Sequence, residues 1–546
     1  MALIDTDLSF DPQDPYFPVP GAAGVEWALQ VFTTANGYGM DIERTHVREG
    51  DRIHVHADRY ARLGQQVPVE AGEADIEVTR TAGVLEWSIT VRHDEPVKAV
   101  KLLLRGLPAH QLRAGWWAPN TGRGWAHGVN GQRFQLEYPG SDWATPWVAA
   151  GDEPNGLALS VRDPLVRRKI LHVHQPPYAP GPIAELVHVP SATARSTTCR
   201  VPSIRLRLGT TEHSADADLD EHLSFVEGAQ NLVPWSSRKD VPEWLRQTAL
   251  VVTLHGQHWT GYVFNTFAQM AEALRFVAQH IDPHRVLAYL PGWEGRYYYA
   301  YPRYRPGEDL GGAEGFAALA HTARQLGVRL MPMFGGHGAN VLEYPVWEQS
   351  VLRNDTNRYV ELLNRPDWDS DRVGEGDQVF LNPAEPEFRA HLVTSISALV
   401  RDFGVDAAFL DTLGYWFNDP RYEVIDGYRR MADELRRRHP ELVLATEGWW
   451  DALSAIFPLS QQWYGADRDL RKPRVLTRYA RTTGHLAEGT PGPGSTGVHE
   501  KGFLRRPSDV AREAHIPVVG IADDTLPTHA EEVAAICRWA RDHAPK

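Results

Sequence analysis

Residues 404–420, GVDAAFLDTLGYWFNDP, run from a glycine through a short apolar stretch to an acid, Asp411, and on into glycine and aromatics. The apolar residues of AAFLD have to be buried, so the carboxylate that closes them stands where a buried strand meets a loop. Residues 442–453, LVLATEGWWDAL, repeat the arrangement with Glu447. Acids at strand ends often do no more than cap the next helix. Here the helical pattern after Asp411 starts only near Asp426, too far downstream to be capped by it. Glu is a poor cap residue, and Gly448 supplies a turn directly after Glu447. Both acids are therefore candidates for chemistry.

Working outward, the chain after about residue 245 repeats a rhythm of strand, loop and helix. ALVVTLHG precedes the amphipathic NTFAQMAEALRFVAQHI, VLAYLPGW precedes AEGFAALAHTARQLG, and IPVVGIADD precedes THAEEVAAICRWARDH. Apolar strands without alternation, each followed by a helix, predict a parallel sheet covered by helices. About 300 residues suffice for an eightfold (β/α)8 barrel. An open doubly wound sheet is disfavoured, since no G-x-G-x-x-G follows the first strand. Strands six and seven fall somewhere between FPLSQQWYG, 457–465, and FLRRPS, 503–508.

Before about residue 235 the rhythm is different. EWALQVFT, RIHVHAD, ADIEVTR, VLEWSITV, AVKLLLRG, RFQLEYPG, GLALSVRD, ILHVHQP, AELVHVPS and SIRLRLG are short, partly alternating runs punctuated by Gly, Pro, Asp and Asn. Such runs predict a β-sandwich built of hairpins, with a turn at Ala82-Gly83. No helical period is evident before Asp218, and the segment Asp216 to Gln247 reads as a connector. The expected architecture is thus a β-sandwich over residues 1–235 and a (β/α)8 barrel over 236–546.

With 546 residues, 42% apolar and 23% charged, the chain is that of an ordinary globular protein of two or more domains. A net charge of −14 argues against nucleic acid as the main partner. No apolar stretch is long enough to span a bilayer, and the N-terminal residues do not form a signal peptide, so no membrane partner and a cytoplasmic location are expected. Two cysteines, Cys199 and Cys537, far apart, support neither a disulfide framework nor a cysteine metal site. The sequence leaves oligomeric state open.

In a barrel, the carboxyl ends of the strands converge on one mouth. Read in order, those ends offer His255, His258 and Trp259, then Trp293 and Glu294, His337 and Asn340, Asp411, Glu447, and the Asp523-Asp524 pair. The last pair equally suits helix capping. Asp411 and Glu447 lie on consecutive strands, so their side chains should be neighbours about 5 Å apart, the spacing of a retaining glycosidase. Asp411, with the shorter arm, would be the nucleophile; Glu447, desolvated by Trp449 and Trp450, the proton donor. A sugar pocket also needs a stacking platform and polar groups for vicinal hydroxyls. The candidates are His255, Trp293, Glu294, His337, Asn340, Tyr415, Trp416, Trp449 and Asp524, with YYYAYPRYR, 297–305, as a mouth loop. The scheme requires no cofactor and no metal, and its partner is a glycoside or oligosaccharide, read as α-linked.

GVDAAFLDT followed by ATEGWW resembles retaining glycoside hydrolases with α-amylase-type barrels, and is more closely similar to the endo-α-N-acetylgalactosaminidase family and its glycoside-hydrolase-like relatives. YPGSDWATPWVAAGDEPNGLALSVRDP, 138–164, AYLPGWEGRYYYAYPRYRPGEDLGG, 288–312, and FLNPAEPEFRAHLVTSISALVRDFGVDAAFLDT, 380–412, carry the likeness into both halves. The resemblance implies a sandwich related to galactose mutarotase ahead of the barrel, Asp411 as nucleophile and Glu447 as acid/base. The chain departs from the amylases at Phe409, where they carry Arg, and in lacking an Asn-His-Asp motif, which argues against an α-glucan substrate.

Two other readings compete. A metal-dependent carbohydrate deacetylase or amidohydrolase would use His255, His258 and His337, but the barrel half has no His-x-His or His-Glu-x-x-His spacing. His-Val-His at 172–174 lies in the β-rich half, on a strand-like alternation. A non-catalytic carbohydrate-binding protein on a degenerate barrel would bind sugar without turnover.

Overall fold

The computed structural model of the protein describes residues 16–19, 24–49, 52–63, 67–106, 116–117, 124–125, 133–140, 143–150, 156–174, 182–210, 212–258, 261–296, 298–358, 378–462, 478–484 and 515–544. The chain divides into two compact units, Met1–Leu232 with Trp450–Ala452, and Val233–Trp449 with Leu453–Lys546.

Among its described residues the first unit contains two antiparallel sheets of nine strands each. Alternation turns one face of each sheet inward, and Trp27, Leu102 and Leu104 of one sheet share a single core with Ile76, Trp87 and Leu206 of the other. At the hairpin between Gly72–Thr81 and Val84–His93, Ala82 and Gly83 have φ of 48° and 79°. Positive φ at both positions gives the turn a twist that matches the strands it joins. The segment read as a connector is in part a helix, Glu212–Gln230, which begins ahead of Asp218. Leu219, Leu223 and Val226 form its buried stripe. The acids between them mask that helical period in the sequence.

The second unit is built on nine parallel strand segments: Leu250–Thr253, Val286–Leu290, Arg329–Gly335, Ala407–Asp411, Val443–Glu447, Leu459–Gln462, Arg481–Gly484, His515–Ile516 and Val518–Gly520. The sheet nearly closes on itself. His515–Ile516 pairs with Arg481–Gly484, and Val518–Gly520 with Leu250–Thr253. Only Pro517 separates these last two segments; it has no N–H for the ladder, yet its carbonyl accepts from Val251 at 2.8 Å. The second, fourth and fifth strands are buried along their whole length, as their apolar runs require.

Helices Phe267–Val277, Gly312–Leu326, Pro386–Phe403, Val424–Arg438 and Thr525–Asp542 follow strands of this sheet. Thr266 and Gln269 form a capping box at the first of them. Pro386–Phe403 ends at Gly404, whose φ of 70° suits glycine. That residue stops the helix and feeds the chain into the Asp411 strand. Among the described residues no helix is long and apolar enough to cross a membrane.

Candidate active site

Asp411 and Glu447 close neighbouring parallel strands, paired in register from Ala407↔Val443 to Leu410↔Thr446. Identical strand polarity and adjacent register bring both side chains out at the same end of the sheet. Asp411 is 7% exposed and Glu447 9%. Their carboxyls share a hydrogen bond. Burial pushes the Asp411 carboxyl up, and the charge and hydrogen bond of Glu447 push it further, well above the usual carboxylate range. Two carboxyls so placed titrate as one unit and hold a proton between them.

The backbone around the pair is tightly specified. Thr412 has a φ of 65°, rare for a β-branched residue, and its hydroxyl donates to the Asp411 carbonyl at 2.7 Å. The Gly336 N–H donates to that same carbonyl at 3.0 Å. A Cβ at Gly414 would lie 2.5 Å from the Glu447 carbonyl oxygen, so only glycine lets the loop after Asp411 pass the Glu447 strand end.

Glu294 is a third carboxyl of this site. It follows the Val286–Leu290 strand and is 5% exposed, and both its oxygens are shut off from solvent without a side-chain donor. Burial raises its pKa to about 8, and its charge contributes to the rise at Asp411. Glu294 also lines a cavity of about 460 Å³, together with Gln257, Arg296, Tyr299, Arg303 and Asn340. Asp411 and Glu447 are not lining residues of that cavity; Glu294 is the link between the two. Two tyrosines of the run expected as a mouth loop, to which the sequence reading gave no individual role, belong here as well. The buried phenols of Tyr301 and Tyr304 are pushed far up, first by burial and then by Glu294, with Asp411 adding to both. Tyr304 donates to the Gly335 carbonyl at 2.7 Å. A Cβ at Gly335 would lie 2.3 Å from the Tyr301 ring. The glycines of FGGHG, opposite a tyrosine-rich run, were the available signal.

The other expected substrate contacts divide sharply. Tyr415 is 56% exposed, and its pKa is raised by burial and by the nearby Glu447 and Asp411. It is an open aromatic face beside the pair. Trp416 is half-buried in the same loop, with its indole N–H unpartnered among the described residues. Asn340 donates to the Tyr299 carbonyl at 3.2 Å and accepts from the Leu342 N–H at 3.0 Å, so its amide shapes the cavity wall.

Trp293 corrects the expectation of a stacking platform. It is fully buried between Phe316 and Phe334, with its indole donating to the Met333 carbonyl at 2.6 Å. No ring face remains for a sugar. Trp449 is likewise buried, at 2% exposure. His337 is also a structural residue. Its Nδ1 bonds the Leu381 carbonyl at 2.7 Å and its Nε2 bonds the Tyr428 hydroxyl, so both nitrogens are engaged. Burial lowers its pKa to about 4, keeping the ring neutral.

His255 and His258 are buried against each other and Phe264. Asp524 precedes the last helix at its N-cap position without a side-chain capping bond, while Asp523 accepts from the Tyr262 hydroxyl at 2.6 Å. Trp259, Tyr297 and the FLRRPS segment lie outside the described residues.

No family model and no curated protein matches the sequence. In structure the chain is similar to the α-N-acetylgalactosaminidase NagBb from Bifidobacterium bifidum. Against its GalNAc complex the TM-score is 0.68 at 13% identity, covering 98% of this chain and 91% of that one. Its ligand-free form gives 0.66 at 14% identity, with coverage of 98% and 91%. Its Gal-NHAc-DNJ complex gives 0.64 at 12% identity, with coverage of 96% and 93%. At such identities the likeness is one of fold alone.

Proposed function

We propose that the protein is a retaining glycoside hydrolase that cleaves an α-linked O-glycosidic bond at Asp411 and Glu447. One observation carries this reading: two buried carboxyls at the ends of adjacent parallel strands, close enough to share a proton. In the first step the proton that the pair shares rests on Glu447, so that Asp411, now the carboxylate, attacks the anomeric carbon while Glu447 gives that proton to the departing oxygen. A glycosyl ester on Asp411 results, and the alcohol leaves. In the second step Glu447, now a carboxylate, takes a proton from water as that water attacks the same carbon and releases Asp411. Two displacements restore the original anomeric configuration. An inverting enzyme needs its carboxyls about 6.5–9.5 Å apart to fit a water between them, which a hydrogen-bonded pair does not offer.

In this reading the second unit is an eightfold barrel whose last strand is broken at Pro517, and the first unit is the accompanying β-sandwich. Tyr415 stacks on the sugar, and Glu294, kept neutral near pH 7, donates a hydrogen bond to it. The substrate named for the structural neighbour, an α-linked N-acetylgalactosamine, is the first glycoside to test. Asp411→Ala should abolish turnover of an active aryl α-glycoside, and azide should restore it with a β-glycosyl azide as product. NMR of the wild-type reaction should show the α-anomer forming first. If β forms first, or if Asp411→Ala turns over normally, the two-carboxylate scheme is wrong.

A further inference from the structure

The sequence contains His-Val-His twice, at 54–56 and at 172–174, and the two copies meet different surroundings. His172 and His174 lie on the strand Lys169–His174, which pairs antiparallel with Ile183–His188 so that His172 faces Glu185. Leu171 and Val173 point into the shared core, so the two histidines share the opposite face of the sheet. Their rings are nearly parallel, 15° apart with centroids 4.8 Å from each other. His174 Nε2 is 3.3 Å from one Glu185 oxygen and His172 Nδ1 is 3.5 Å from the other. One donor atom from each of the three residues lies within 4.8 Å of the others. Ligands bound at about 2.1 Å in a tetrahedral site are spaced about 3.4 Å apart; each histidine already lies at about that distance from one of the two Glu185 oxygens, and a single donor set with one atom per residue closes to within 4.8 Å. The Glu185 and His174 side chains are 10% and 8% exposed, while His172, at 22%, borders the open side.

The geometry points to a binding site for a divalent transition cation of the zinc class at His172, His174 and Glu185, separate from the barrel carboxyls. Two imidazoles and one carboxylate are a borderline donor set that suits such ions better than calcium or magnesium. Three protein ligands leave the fourth position to water, and the ion would tie two adjacent strands together. One group competes for the site: the Lys101 ammonium lies 2.9 Å from the Glu185 Oε2. The other copy is a built-in control. His54 and His56 face Asp75 at 4.0 and 2.8 Å, with 47% and 32% of their side chains exposed, and Arg92 also reaches Asp75. Those three residues do not form a convergent donor set.

The test uses the untagged full chain, stripped with a chelator and titrated with Co²⁺ and Zn²⁺. One equivalent of Co²⁺ should bind and give visible d–d absorption, with Zn²⁺ displacing it. His174→Ala and Glu185→Gln should each weaken binding by about 100-fold. Lys101→Met should tighten it, because the competing ammonium is gone, and His54→Ala/His56→Ala should leave it unchanged. Far-UV circular dichroism of the metal-free variants establishes that each is folded. Failure to bind one equivalent, binding indifferent to His174→Ala and Glu185→Gln, or binding that follows the His54/His56 pair would each overturn the site.

Discussion

Asp163 and Asp411 are the same residue type in nearly the same position, an aspartate at the end of a buried strand. They are 8% and 7% exposed. Burial pushes both carboxyls up, but their neighbours carry opposite signs. Asp163 is ion-paired with the buried Lys169 and with Arg167, which overcome burial and hold its pKa at about 2. Asp411 faces Glu447, with Glu294 nearby, and is driven well above the usual range. Sequence pattern and depth do not distinguish a structural carboxylate from a reactive one; the charge of the partner does. An ion pair removes the carboxylate from chemistry, whereas a second carboxyl keeps a proton ready for transfer.

The strongest way to break this contrast is to neutralise one member of the reactive pair. Glu447→Gln should lower kcat/KM on glycosides with poor leaving groups by about 10⁴-fold. With a dinitrophenyl glycoside, whose leaving group needs no protonation, the variant should keep measurable activity. It should also lose the high-pH decline that the wild type shows when the pair gives up its shared proton. Because Glu294 gives up its own proton near pH 8, the comparison is made in a Glu294→Gln background, where a basic limb that persists in Glu447→Gln would separate Asp411 from Glu447 and leave the pair without a mechanism.

Neutralising the contrasting residue should damage stability instead of chemistry. Asp163→Asn leaves Lys169 fully buried without its counter-charge, a loss of about 3–5 kcal/mol. The sign follows from the lowered pKa. The stabilisation by Asp163 is complete above its unfolded value of 3.8 and fades as pH falls through about 2. A urea midpoint at pH 7 should therefore drop in the variant, and the gap from wild type should narrow on acidification toward pH 2. Equal midpoints at pH 7 would show that the ion pair adds nothing beyond the cost of its own desolvation.

The pair itself was legible in the sequence because its position follows from local features: apolar runs, a distant next helix, and Gly448 after Glu447. What escaped was decided by residues far away in the chain. Trp293 reads as an exposed platform until Met333 and Phe334 close over it, and His337 reads as a ligand until Tyr428 engages its second nitrogen. The sixth and seventh strands, LSQQ and RTTG, carry buried polar residues such as Ser460, Gln461, Thr482 and Thr483. Apolar runs mark strands that face an apolar interior, whereas the buried Thr482 hydroxyl here meets the His515 ring at 3.1 Å. Glu385 shows the limit of a propensity argument: although Glu is a poor cap residue, its carboxylate accepts the N–H groups of Glu387 and Phe388. Partner charge, which separates Asp163 from Asp411, is likewise a property of the folded neighbourhood.

Glu294 tests the contrast without touching the reacting pair. Its folded pKa of about 8 exceeds the ordinary 4.5, so the folded state holds this proton more tightly than the unfolded state. Stability from that difference is full below pH 4.5 and is lost progressively as pH rises to about 8. Glu294→Gln preserves the shape and a neutral donor while removing the titration. Relative to wild type, the variant should gain stability between pH 5 and 8 by a few kcal/mol at most. A gap that is flat with pH would mean that Glu294 is ionised in the folded protein, and the neutral donor assigned to it would be lost.

The smallest expected effect concerns Tyr415, and it asks whether exposure beside the pair has a function. An aromatic ring 56% exposed gives up apolar burial that most large side chains obtain. A sugar stacked on that face would recover it, a contribution of about 1 kcal/mol judged from aromatic contacts elsewhere. Tyr415→Ala should therefore raise KM about fivefold to tenfold with kcat nearly unchanged, since stacking on the non-reacting ring stabilises ground and transition states alike. Tyr415→Phe keeps the ring and should behave as wild type. Should the Phe variant be as impaired as the Ala variant, the hydroxyl beside Glu447 and Asp411 would be the active element, and Tyr415 would belong with the proton-handling groups of the site.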